Sequence, residues 1–199
     1  MPLITTLANG SARGYGGLLG GAAGAPNSYE SIATATGTGS SGTITFSSIP
    51  ATYSHLQIRC IARTDTGFAT DYIQFRFNSD TGSNYTYHGL EGDGASVAAF
   101  GAASQTVALD TNITGSAATA NAMGAAIIDI SDYASTSKYK TVRTIGGQDQ
   151  NSGSNTGQIR LMSNLWLSTS AINSITFTSY RSANWTTSTT FALYGIKGA

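Results

Sequence analysis

The sequence predicts an all-β chain, a jelly-roll-like antiparallel β-sandwich preceded by an extended, glycine-rich N-terminal arm, and three observations carry that expectation. The first is the stretch Ser54 to Arg63, in which Leu56, Ile58, Cys60 and Ala62 alternate with His55, Gln57, Arg59, Ile61 and Arg63. A period of two is the mark of a strand, with one apolar face for a core and one that needs water or a partner. The second is a set of Gly-, Ser- and Asn-rich clusters at short intervals, Gly39 to Gly42, Ser79 to Gly82, Gly92 to Gly94 and Asn151 to Asn155. Such residues supply the positive φ angles of tight reversals. The third is that no window of eleven or more residues carries a helical apolar stripe. Strands following one another without helices between them make antiparallel sheets joined by hairpins and Greek-key crossings.

Taken in order, residues 1–27 form the arm. Leu3, Ile4, Leu7, Tyr15, Leu18 and Leu19, with the single cation Arg13, lie among glycines at 10, 14, 16, 17, 20, 21 and 24. So much glycine cannot sustain a helix or a packed strand alone, yet the segment is too apolar for a solvated linker. It reads as an attachment arm that orders against a neighbouring subunit or scaffold. The spacing of Gly14 and Gly16 lacks the third glycine of a dinucleotide fingerprint and follows no βαβ unit, so nucleotide binding is rejected.

Residues 28–199 form the sandwich domain. Strands are expected near 29–36, 42–47, 54–63, 71–78, 84–89, 105–110, 121–131, 139–146, 157–167, 172–179 and 187–196. Ile73, Phe75 and Phe77 alternate with Tyr72, Gln74 and Arg76, and Ile175 and Phe177 with Ser174, Thr176 and Thr178. The segment from Asp129 to Lys138 is given a single helical turn and no more.

Composition bounds the function. The chain of 199 residues is only 10% charged, and its ten cations balance ten anions. No long-range field steers it to nucleic acid or to anionic lipid. Near-zero net charge also weakens the repulsion that keeps proteins apart, which favours life in an assembly. No apolar run is long enough to cross a bilayer, and the start Met1-Pro2-Leu3-Ile4 lacks a signal-peptide pattern, so folding in a cytoplasm is expected. Cys60, the lone cysteine, falls on the apolar face of its strand and reads as a small buried hydrophobe.

Chemistry-bearing residues are scarce. His55 and His88, the two histidines, are too few for a histidine metal site. Asn78 to Asn84 offers oxygens at alternate positions but one carboxylate, so an Asx-stabilised turn is preferred to a calcium loop. Asp129 and Asp132, and likewise Glu91 and Asp93, have no acidic partner assignable for glycoside hydrolysis. No serine lies in a nucleophile elbow. The expectation is a non-enzymatic protein with no catalytic residue, no metal and no cofactor. Tyr85, Tyr87 and Trp185 are candidate glycan or partner contacts, Trp185 first because its loop, Ser182 to Thr186, is polar.

Two sets of segments carry a resemblance. The opening Ile4-Thr5-Thr6-Leu7-Ala8-Asn9-Gly10-Ser11-Ala12-Arg13-Gly14-Tyr15-Gly16 resembles a short N-terminal module of tailed-bacteriophage virion proteins. The body, through Gly42 to Pro50, Tyr53 to Arg59, Phe77 to Tyr85 and the ending Phe191 to Gly198, is similar to structural proteins of marine and cyanobacterial phages. The resemblance implies a place on the exterior of the virion, as a tail fibre or a head decoration protein, with capsid or tail proteins as partners. It carries over no active site. Virion appendages are symmetric, so a homo-oligomer, a trimer by preference, is expected. The alternative is a carbohydrate-recognition module of a tail fibre that binds host surface glycan.

Overall fold

The structure, a computed structural model, describes residues 28–150 and 157–198. Twelve strands and no helix are found among them: β1 Tyr29–Thr36, β2 Thr43–Phe46, β3 His55–Ala62, β4 Thr70–Phe77, β5 Tyr85–Gly92, β6 Val97–Gln105, β7 Ala108–Thr114, β8 Gly124–Ile130, β9 Lys140–Gln148, β10 Gln158–Trp166, β11 Ile175–Ser179 and β12 Thr190–Ile196. They make two antiparallel sheets, an eight-stranded one in the order β1-β12-β3-β8-β9-β10-β5-β6 and a four-stranded one in the order β2-β11-β4-β7. The all-β sandwich expected from the sequence is the observed fold.

Strand β3 shows why. Its inward residues Leu56, Ile58, Cys60 and Ala62 are all buried, and its neighbours β12 and β8 pair with it through Leu193↔Ile58 and Ile58↔Ile128. Facing them, β4 and β11 contribute Ile73, Phe75, Phe77, Ile175 and Phe177, each at most 1% exposed. The sheets lock through rings, Phe177 on Phe191 at 4.7 Å and Phe77 on Trp166 at 5.5 Å between centroids. Where β7 crosses β8 the backbones come so close that a Cβ on Gly124 would lie 2.6 Å from Cα of Ile113. Only glycine fits there.

Three local features follow from single side chains. Asp80 turns the chain between β4 and β5: its carboxylate accepts from the Gly82 amide at 2.8 Å, Asn84 Nδ2 at 2.9 Å and the Trp166 indole at 2.7 Å. Burial pulls its pKa up, but these donors outweigh it and hold the carboxyl below its ordinary value. That is the Asx turn of the sequence reading, with its carboxylate already used. Lys140 is fully buried, and its ammonium donates to the carbonyls of Ser135, Lys138 and Thr169. Arg63 spreads its guanidinium over the carbonyls of Ser116, Ala118, Thr119 and Ala122, clamping the β7–β8 loop. The residues after β8 form one turn at 131–134, as expected.

The structure corrects three expectations. Val97–Gln105 is a strand absent from the sequence reading. Its Ala- and Gly-rich sequence carries no alternation; it forms by pairing with β5, where a Cβ on Gly101 would strike the His88 ring at 2.6 Å. Strand β5 therefore runs on to Gly92, and Glu91, placed in a loop by the sequence, lies in the sheet and pairs with Arg160. Gln57, expected to face water, is 7% exposed, because Arg59 and Asp129 close over it. The arm residues Leu3, Ile4, Leu7, Arg13, Tyr15, Leu18 and Leu19, and the turn at Asn151 to Asn155, lie outside the described residues.

Candidate functional site: the outer face of the large sheet

Of the three aromatic contact candidates, two are core residues. Tyr85 is fully buried, stacked on Trp166, with its hydroxyl taking the Phe77 amide at 3.0 Å. Burial pushes its phenol pKa up to about 12. Trp185 is likewise fully buried, edge-on to Phe191 at 5.3 Å. Its loop is polar in sequence, but the bridge from Thr64 to Trp185 and the Trp185 amide bond to Ser41 carry the ring under the sandwich end, out of reach of any ligand. Tyr87 is half-buried against Phe100. The structure does not bring these three together on a surface.

What it does bring together lies on the outer face of the eight-stranded sheet. The registers align three transverse rows there. The first runs Gln57, Asp129, Arg143, Ser163, His88. It is polar and linked: Arg59 Nε donates to Gln57 Oε1 at 2.8 Å, Gln57 Nε2 to Asp129 Oδ1 at 2.8 Å, and Arg143 to the Ser163 hydroxyl. At its β1 end the Arg59 guanidinium lies 5.7 Å from the Tyr29 ring centroid and 5.5 Å from that of Tyr194.

The second row runs Arg59, Ile127, Ile145, Leu161, Leu90, Ala99, and the third Ile61, Ala125, Gly147, Ile159, Gly92, Val97. Apart from Arg59 at one end, these two rows contain no polar side chain. Ile145 and Leu161 are each 53% exposed, Ile159 60% and Val97 81%. Isolated exposed aliphatics are ordinary, but here they form a continuous band across six strands. The band broadens at its β6 side into a shallow pocket of about 440 Å³ lined by His88, Leu90, Phe100, Arg143 and Leu161 among others.

The sequence held a signal for this band. Ile127-Ile128 in β8 and Leu161-Met162 in β10 put apolar side chains on both faces of one strand, the pattern of a strand covered on both sides.

A second polar group sits inside. Arg160, 7% exposed, pairs with Glu91 and lies 4.5 Å from the Tyr72 ring centroid and 4.7 Å from that of Phe100. Beside it the Asp110 carboxylate, the Thr144 hydroxyl and the Asn164 amide are buried, the amide without a hydrogen-bond partner. Burial is the main cause that pushes the Asp110 carboxyl up to about 7, with the neighbouring Thr144 hydroxyl and then the Arg160 guanidinium acting against it. Cys60 is buried too, which holds its thiol protonated. No group of three or more His, Cys, Asp or Glu side chains able to hold a metal ion occurs among the described residues. Comparison with protein-family profiles, with curated proteins and with solved structures finds no match to this chain.

Proposed function

We propose that this chain is a non-enzymatic structural protein of a phage virion, exposed on the particle exterior and docked there by its N-terminal arm, as part of a tail fibre or a head decoration. It assembles in the host cytoplasm, works as a homo-oligomer and meets capsid or tail proteins through residues 1–27. The observation that carries the assembly reading is the apolar band on the outer face of the large sheet, because a surface of that size and continuity is left open only where something covers it. The virion reading rests on the segments that resemble phage structural proteins. The strand order supports it: β1-β12-β3-β8 facing β2-β11-β4-β7 sets the first strand beside the last, the nesting expected of a jelly-roll-like sandwich, with β9, β10, β5 and β6 extending one sheet. Jelly rolls are a recurrent capsid and lectin architecture.

The second reading, a receptor-binding module for host glycan, is favoured by one feature. Tyr29, Arg59, Asp129 and Tyr194, the two charges bridged by the buried Gln57, set planar rings and both signs of charge side by side on an open sheet face, the mixture that recognises a sugar ring.

The test is a chain beginning at Asn27, compared with the full chain for binding to particles that lack the protein, with its copy number per virion measured by quantitative mass spectrometry. The full chain is expected to bind and the shortened chain to fold and fail to bind. Hundreds of copies mean a head decoration, and a few tens or fewer a tail part. Absence of the protein from purified particles, or full occupancy by the shortened chain, sinks the proposal. Binding of an Arg59→Ala variant to a glycan array, if unchanged from the parent, sinks the second reading.

A further inference from the structure

We propose that the apolar band is covered by a second copy of this chain, packed sheet to sheet about a two-fold axis that lies in the interface and runs across the strands. This deepens the homo-oligomer part of the function proposed above by naming the surface, the partner and the symmetry.

Area is the first argument. Six side chains, Leu90, Val97, Ile127, Ile145, Ile159 and Leu161, stand between 39% and 81% exposed. Together they present about 600 Å² of aliphatic surface, the upper end of what a monomer leaves open and most of the ~800 Å² per partner of a stable interface. Zero net charge removes long-range repulsion between copies.

Shape is the second. In β8, β9, β5 and β6 the band takes one large and one small residue from each strand: Ile127 with Ala125, Ile145 with Gly147, Leu90 with Gly92, and Val97 with Ala99. A half-turn about an axis across the strands exchanges the two rows and lays each strand over its own copy. Every large residue of these strands is then set opposite its partner's small one, while Leu161 is set opposite Ile159 of the other copy in β10. A face that is its own complement in this way is what an isologous contact requires. Stacked sheets lie about 10 Å apart, which two flat aliphatic faces allow.

Charge is the third. Beyond one row lies Arg143, with Asp129 beside it on β8; beyond the other lie Asp93 and Asp149. An axis across the strands lays β9 over its own copy and so brings Arg143 over the partner's Asp149.

The experiment is sedimentation of the full chain from micromolar to tens of micromolar, alone and as Leu161→Lys and Ile145→Lys, with melting of each followed by circular dichroism. The parent is expected to sediment at twice 20.4 kDa. Either lysine, at a position 53% exposed, is expected to give a monomer that melts with the cooperativity of a folded domain. A parent that stays monomeric, as it would if its own residues 1–27 covered the band, overturns the proposal, and so does a trimer or a dimer that survives both lysines. The axis is read from disulfides: Ala125→Cys mixed with Ile127→Cys should cross-link faster than either variant alone, Cys60 being buried. Self-linking of one variant with no gain on mixing overturns the orientation. Absence from virions would leave these results standing, and a monomer would leave the virion reading standing.

Discussion

Arg160 donates to the main-chain carbonyl of Asp110 at 3.2 Å and gives its Nε to Glu91, and it forms no ion pair with the Asp110 carboxylate, which is fully buried beside it. A charge held this way is disfavoured, and its pKa is raised to about 7, above the value near 4 that an unfolded chain gives it.

The sign of the pH dependence follows. The folded state binds the proton more tightly than the unfolded one, so stability is full below about pH 4 and falls as pH rises toward about 7, by a few kcal/mol in all. The other carboxyls with resolved shifts, Glu30, Asp80, Asp93 and Asp132, are lowered and act at more acid pH. Urea unfolding between about pH 4 and pH 8 should show this decline, and Asp110→Asn should flatten it. An equal slope in the variant would assign the decline to another group.

The two faces of β3 separate by mutation. Ile58 is fully buried and Ile61 is 53% exposed. Ile58→Ala should cost about 2 to 5 kcal/mol and Ile61→Ala less than about 1. Comparable losses in chemical denaturation would mean that the strand's register is misassigned.

Trp185 separates the core from the contact reading. With the ring fully buried against Phe191, Trp185→Ala should cost about 3 to 5 kcal/mol. A variant that melts like the parent and loses only ligand or particle binding would return Trp185 to the surface role its polar loop suggests.

Arg63 should behave as a clamp. Removing its guanidinium frees four loop carbonyls, so Arg63→Ala should cost about 1 to 3 kcal/mol. Amide exchange should accelerate across 115–123 with β1 and β12 unaffected; uniform acceleration would contradict a local role.

What the sequence determined by itself is the class of fold and the inward face of its strands. Alternation of Leu56, Ile58, Cys60 and Ala62, or of Ile73, Phe75 and Phe77, is a local property, because the pleat sends successive side chains to opposite faces wherever the strand ends up. The turn at Asp80 was legible for the same reason, since an Asx turn is built within five residues. Tertiary structure alone decided the rest. Val97–Gln105 becomes a strand through hydrogen bonds to β5, which no pattern in its own alanines announces. Trp185 is drawn inside by Ser41 and Thr64, far from it in sequence. The apolar band exists because six strands stack their outward residues in register, and register is fixed by partners distant along the chain, so residues as far apart as Ile61, Ile145 and Leu90 become one surface only when the sheet has formed.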